Sequence, residues 1–137
     1  MASKTEILHA YRHMYRHLMR AVRNTKPQSQ IGRTQLRAAF NPVPGTAEHG
    51  QPFDAAGIKR TIWFLKAAEK EAGLEHRVLK NLLLAAGVRQ RLMRVPWSVV
   101  LKKNPRAMES HKLVQHVYAH YDRTIEMLNK TMGLRLK

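Results

Sequence analysis

The apolar positions of this chain recur at three- and four-residue spacing, the period of a helix with one buried face. Ile7, Tyr11, Met14, Leu18 and Val22 form the clearest stripe, widened by Leu8, Tyr15 and Met19. Ser3 and Glu6 flank its start in capping-box order, and Asn24-Thr25-Lys26-Pro27 breaks it, so a helix is predicted over 4–23. Ile31, Leu36, Ala39 and Phe40 give a weaker face over 28–41, ended by Asn41-Pro42-Val43-Pro44-Gly45. Asp54 reads as the N-cap of a third helix with Ile58, Ile62, Leu65 and Ala68 on its stripe and Trp63 and Phe64 beside it. Leu74, Val78, Leu79, Leu82 and Leu83 continue that pattern, which makes Gly73 an interruption within one long helix over 54–86 and Gly87 its C-cap. Residues 88–104, punctuated by Pro96 and Pro105, read as irregular or short-helical. Asn104-Pro105 starts a last helix with Leu113, Val117, Tyr121, Ile125 and Leu128 as its stripe, stopped by Gly133.

Strand-like alternation is missing, and the predicted fold class is all-α, an antiparallel bundle of three to five helices. With 137 residues the chain has room for one core. The longest apolar run, Leu82 to Val88, is too short to span a bilayer. The chain has no cysteine, which removes disulfides, thiolate metal sites and thiol nucleophiles.

Charge changes the picture more than composition does. Lys and Arg number 25 against nine acids, a net charge of +16. The surplus is +6 over residues 1–50, +2 over 51–86, +6 over 87–112 and +2 over 113–137. Basic residues are interleaved with apolar ones in both blocks, the pattern of charged faces on ordered elements rather than of a tail. Such a charge opposes the compact state unless a polyanion or acidic partner neutralises it.

The first helix reads His13-Met14-Tyr15-Arg16-His17-Leu18-Met19-Arg20 and the second contains Arg37-Ala38-Ala39-Phe40. This resembles the LYR family, small helical mitochondrial proteins with Leu-Tyr-Arg and a trailing Leu-x-Arg in the first helix and Arg-x-x-Phe in the next. Met14 stands at the family's Leu, Asn41 stands where a basic residue often follows the Phe, and Tyr11-Arg12 offers a second Tyr-Arg pair one turn earlier. The resemblance covers 1–86 and implies a three-helix LYR-like bundle there; 87–137 is then a basic loop and an additional C-terminal helix packing on or extending the same domain. It further implies a non-enzymatic adaptor. Family members bind the mitochondrial acyl carrier protein, an acidic protein whose acylated 4'-phosphopantetheine enters the bundle. By this resemblance Met14, Tyr15, Arg16, Leu18, Arg20, Arg37 and Phe40 are the contact residues. Arginine suits such a partner because its planar fork matches carboxylate and phosphate.

Arg89, Arg91, Arg94, Lys102, Lys103 and Arg106 fall within eighteen residues with no acid among them, and Trp97 lies inside. Such a segment suits RNA phosphates, with Trp97 stacking on a base or anchoring the loop to the core. No RRM, KH or zinc-knuckle motif is present, so RNA would be recognised by shape and backbone. The plainer alternative is a solvated basic loop. His9, His13 and His17, and His116 and His120, have the four-residue spacing of helical metal ligands, but no H-E-x-x-H accompanies them, and no metal site is expected. Glu69, Glu71 and Glu75 read as helix-surface acids near Lys66, Lys70 and Arg77. A helix-turn-helix over 28–64 is disfavoured by the long Pro/Gly loop at 42–52.

Residues 1–23 are basic, amphipathic and poor in acids, similar to a mitochondrial presequence, and are expected both to route the protein and to stay in the fold. The expected function is a subunit or assembly factor of the mitochondrial ribosome in the matrix, contacting rRNA and ribosomal proteins and not forming a homo-oligomer. The alternatives are an accessory subunit or assembly factor of a respiratory complex, and a basic helical nucleic-acid module without acyl carrier protein.

Overall fold

Ser3 starts the first helix as the sequence indicates. Its side chain accepts from the Thr5 N–H, and Glu6 reaches back to accept from the Ser3 N–H at 2.9 Å, closing the capping box of α1 (Lys4–Ala21). In the computed structural model, residues 3–40, 53–94 and 105–136 are described. They contain helices and no strand: α1 is followed by α2 (Gln28–Phe40), α3 (Ala55–Lys70), α4 (Leu74–Met93) and α5 (Pro105–Met132). The all-α class stands. The Pro-rich stretch 41–52 and the segment 95–104, with Trp97, Lys102 and Lys103, lie outside the described residues.

Four helices close around one core. α1 packs most extensively on α3 and also on α2, while α4 packs on both α3 and α2; α5 touches the bundle mainly through α4. Met14, Leu18, Met19 and Ala21 of α1, Leu36 of α2, Phe64, Leu65 and Ala68 of α3, and Leu79 and Leu83 of α4 are buried together. The expected helix over 54–86 is two helices. Gly73 is the N-cap of α4 in extended conformation, and Glu71 closes α3, also extended. A Gly followed by a fresh stripe is therefore a chain reversal here, and it lets α3 and α4 pack on each other.

Gly87 corrects a second expectation. It does not cap α4, which runs on through Arg89 and Arg91 to Met93. Gly87 is buried against α2, where an added Cβ would sit 2.7 Å from Ile31 Cδ1. Gly32, buried on α2, faces Leu18 and Leu83 in the same way. Both glycines thus mark close packing rather than helix ends. Arg89, Arg91 and Arg94 consequently belong to the end of a helix, not to a loop.

The C-terminus adds core that the periodicity did not reveal. Gly133 adopts φ +63°, the left-handed region that glycine reaches without strain, and ends α5. The chain then turns back, burying Leu134 and Leu136. The Asn129 amide holds this tail from both sides: Nδ2 donates to the Leu136 carbonyl at 2.6 Å and Oδ1 accepts from the Leu136 N–H at 3.0 Å. The Arg135 N–H donates to Thr61 Oγ1 at 3.0 Å, and that Thr61 side chain, 1% exposed, in turn donates to the Gly57 carbonyl. The tail is thereby tied to α3 as well as to α5.

The glycine contact makes a signed prediction. Gly87→Leu forces α2 and α4 apart and should lower stability by about 1–3 kcal/mol. Gly87→Ala should stay within about 1 kcal/mol of wild type, because rotation of the Ile31 terminal methyl relieves the contact and alanine gains helix propensity of that order. Urea denaturation followed by circular dichroism measures both; a glycine acting as a left-handed C-cap would instead make the alanine variant clearly destabilised.

Candidate functional site

The helical spacing of Arg12, Arg16 and Arg20 carries three guanidiniums along one side of α1, Arg23 follows in the turn beyond its end, and all four are exposed. On the neighbouring edge of the helix the aromatic side chains meet α2. Tyr11 and Tyr15 stack with ring centroids 6.1 Å apart, and Tyr11 meets Phe40 edge-on at 5.5 Å. The Arg33 guanidinium lies over the Tyr15 ring at 5.6 Å. Arg33 and Arg37 are one turn apart on α2 and both are exposed. The α1–α2 seam is therefore a half-buried aromatic cluster bordered by arginines from two helices.

Of the residues that the sequence nominated here, Tyr15 and Phe40 are brought together through Tyr11. Arg16 and Arg37 stand exposed, and Met14 and Leu18 lie in the core. Arg20 points elsewhere: its Nη1 is 3.5 Å from Glu69 Oε1 on α3. Arg33 and Tyr11 were not nominated. The signal for Arg33 was available, since it sits one helical turn before Arg37.

Glu69 is not the surface acid its neighbours in sequence suggest. His17 Nδ1 lies 2.8 Å from Glu69 Oε2. The carboxylate is ionised and can only accept, so the His17 Nδ1–H donates. This hydrogen bond, and after it the charge of Arg20, holds the Glu69 carboxyl below its usual range. His17 is correspondingly a half-buried link between α1 and α3 rather than a solvated surface residue. His9, His13, His116 and His120 are exposed, and among the described residues no group of three or more His, Asp or Glu could hold a metal.

The second basic block divides. Arg89 is committed inside the protein: its Nη1 donates to Asp122 Oδ1 at 2.7 Å and its guanidinium lies 5.2 Å from the Tyr118 ring centroid, fastening α5 to α4. Burial, with Asp122 adding to it, pushes the neighbouring Tyr121 hydroxyl above its ordinary pKa. Arg91 and Arg94 instead line a polar cleft of about 280 Å3 with Gln30 and Thr34 of α2 and Gln90 of α4. Two guanidiniums beside side-chain amides and a hydroxyl can bind phosphate oxygens and sugar hydroxyls. Arg106 is exposed in the first turn of α5.

At the first seam Arg16 and Arg37 are exposed cations, and Met14, Leu18 and Met19 are buried flexible apolar side chains. A comparison of the chain with protein-family models, curated proteins and solved structures finds no match.

The α1–α3 link predicts an acid-sensitive stability. Glu69 has a depressed pKa in the folded protein, so its contribution is present above the unfolded-state value and is lost as pH falls through the folded value. Glu69→Gln should cost about 1 kcal/mol near pH 7. The gap to wild type should close in the pH range below about 4.5, the unperturbed carboxylate value. Denaturation midpoints of the two proteins between pH 3 and pH 7 measure it.

Proposed function

We propose that this protein is a non-catalytic LYR-type adaptor that works as a structural subunit or assembly factor of the mitochondrial ribosome, in the mitochondrial matrix. It lies on rRNA and ribosomal proteins through its basic faces, and receives acyl carrier protein at the α1–α2 seam. The observation that carries the reading is the distribution of positive charge. Arginines border the α1–α2 seam and two more line the α2–α4 cleft, while the acids with ion-pair partners among the described residues are Asp54, Glu69 and Asp122. A net charge of +16 on one small helical core is suited to a polyanionic surface, which neutralises many cations at once.

The two faces divide the work. Arg91 and Arg94, with Gln30 and Gln90 beside them, provide phosphate and sugar contacts of the sequence-independent kind. The arginines on α1 and α2 suit an acidic protein, and Tyr15 and Phe40 supply apolar area between those charges. The resemblance of Met14-Tyr15-Arg16 and Arg37-x-x-Phe40 to the LYR pattern supports acyl carrier protein as that partner.

Two measurements test the reading. In mitochondrial lysate at moderate salt the protein should sediment with ribosomal particles and be released steeply as salt rises. Comigration with a respiratory complex, insensitive to salt, would reject the ribosomal assignment. Native mass spectrometry of the purified protein should show a co-purified acyl carrier protein, lost in Arg16→Glu and reduced at least tenfold in Tyr15→Ala. A chain that binds RNA with no such species would be a basic nucleic-acid module instead.

A further inference from the structure

Trp63, which lies beside the stripe of Ile62 and Leu65, is the largest side chain on the α3 surface and is 75% exposed. Its neighbours on the helix are cationic. Lys59, Trp63, Lys66 and Lys70 follow one another at four-, three- and four-residue spacing and so share a face of α3, with Arg60 on the other flank of the ring. All four cations are exposed. Beside the indole runs a groove of about 470 Å3, mostly apolar, lined by Trp63, Ala67, Met132 and Leu134 with Arg60 and Glu75. Arg60 is held in place at its edge, since its guanidinium lies against Gly133, the glycine that turns the chain into its buried tail.

We infer that this face of α3 is a stacking platform for single-stranded nucleic acid, with one base on the Trp63 ring and the flanking phosphates on Lys59, Arg60, Lys66 and Lys70. The inference rests on the RNA reading above and adds to it a second, structurally separate contact that reads unpaired strands. Three features distinguish this face from a generic basic patch. An exposed indole offers a π-face that any base can use, at a cost that an isolated protein otherwise has no reason to bear. The cations bracket the ring along the helix axis, as a backbone passing over a stacked base requires. The groove next to the ring is mostly apolar, with Lys59 and Arg60 and one carboxylate, Glu75, in its lining. That composition accepts the flat, partly polar edge of a base beside cations that can meet the flanking phosphates, with Glu75 available as an acceptor for an amino group. Charge favours nucleic acid over an acidic protein helix here, because four cations spaced along one ring match a phosphate chain.

The test uses the full chain and a fluorescein-labelled 12-mer oligouridylate, its duplex with oligoadenylate, and heparin as a polyanion without bases. In the wild-type background, Trp63→Ala should weaken single-strand binding about tenfold, with the duplex affinity changed less than twofold and Trp63→Phe restoring most of the loss. In a Trp97→Phe protein, where Trp63 is the one remaining tryptophan, oligouridylate should quench the emission and heparin should not. Circular dichroism checks that the variants fold, as expected for a side chain this exposed. Tight oligonucleotide binding with the Trp63→Ala affinity unchanged would overturn the stack and leave the RNA reading intact. Emission that responds to purified acyl carrier protein and not to the oligonucleotide would also overturn it, in favour of a protein interface. Failure of the wild-type chain to bind either RNA at low salt would remove the RNA reading and the stack together.

Discussion

Carboxylates are the scarce resource of this fold: nine of them face 25 lysines and arginines. Three join helices or segments remote in sequence. Glu69 bridges α3 to His17 and Arg20 of α1, Asp122 holds Arg89 and so fastens α5 to α4, and Asp54 meets Arg135 of the tail at 3.2 Å. Asp54 also caps α3 by accepting from the Gly57 N–H, and that bond first, then Arg135, keeps its carboxyl below the ordinary range. Asp122 works where contact between helices is thin, between α4 and α5, whereas Glu69 reinforces the extensive α1–α3 packing. The core itself, Met14, Leu18, Leu36, Phe64, Leu65, Leu79 and Leu83, is uncharged and continuous across four helices.

With nine acids in all, three of them engaged in internal links, the surplus cations have nowhere to discharge within the protein. Like charges at the surface repel within a Debye length of about 8–10 Å, so their concentration on a small body raises its free energy. A binding partner that brings phosphate or carboxylate lowers it. The same architecture that leaves this surplus also sorts it: α1 and α2 present arginines around aromatic rings, α2 and α4 enclose a polar cleft, and α3 presents lysines around one indole. These are chemically different surfaces, and under the proposed function they receive different parts of one assembly.

How much of this could be read from sequence depends on how local the cause was. Ser3, Glu6 and the stripe of α1 act within one or two turns, and the helix follows them closely. Asp54 capped α3 as expected for the same reason. The two glycines went the other way. Gly73 and Gly87 are the same residue type in similar apolar company, and only tertiary structure decides that the first opens a new helix and the second lies buried against Ile31. Trp63 shows a further limit: periodicity defines the buried arc of a helix, but the edge on which a neighbouring residue falls depends on where α1 and α4 sit. At the α1–α2 seam, Tyr15-Arg16 and Arg37-x-x-Phe40 are local patterns within their own helices, whereas the placing of Tyr11 between Tyr15 and Phe40 had no local signal. The partnership of His17 with Glu69, 52 residues away, had no local signal.

α5 leaves part of its apolar stripe uncovered. Its C-terminal half is seated: Ile125 and Leu128 pack against the core, and the tail that follows contributes Leu134 and Leu136. Its stripe nevertheless continues towards the N-terminus through Leu113 and Val117, which are 66% and 67% exposed. Arg89 and Asp122 tie α5 to α4, and on the turns before Asp122 the Leu113 and Val117 side chains stay uncovered. On α4, Leu84, Val88 and Leu92 follow each other at four-residue spacing and are exposed as well. A helix whose apolar side is half used in the free protein is costly to keep as a monomer feature, and it gains if a second surface covers it. Surplus charge and uncovered stripe thus act in the same direction by independent physics: the free energy of this chain falls when its cations are neutralised and its apolar side is covered.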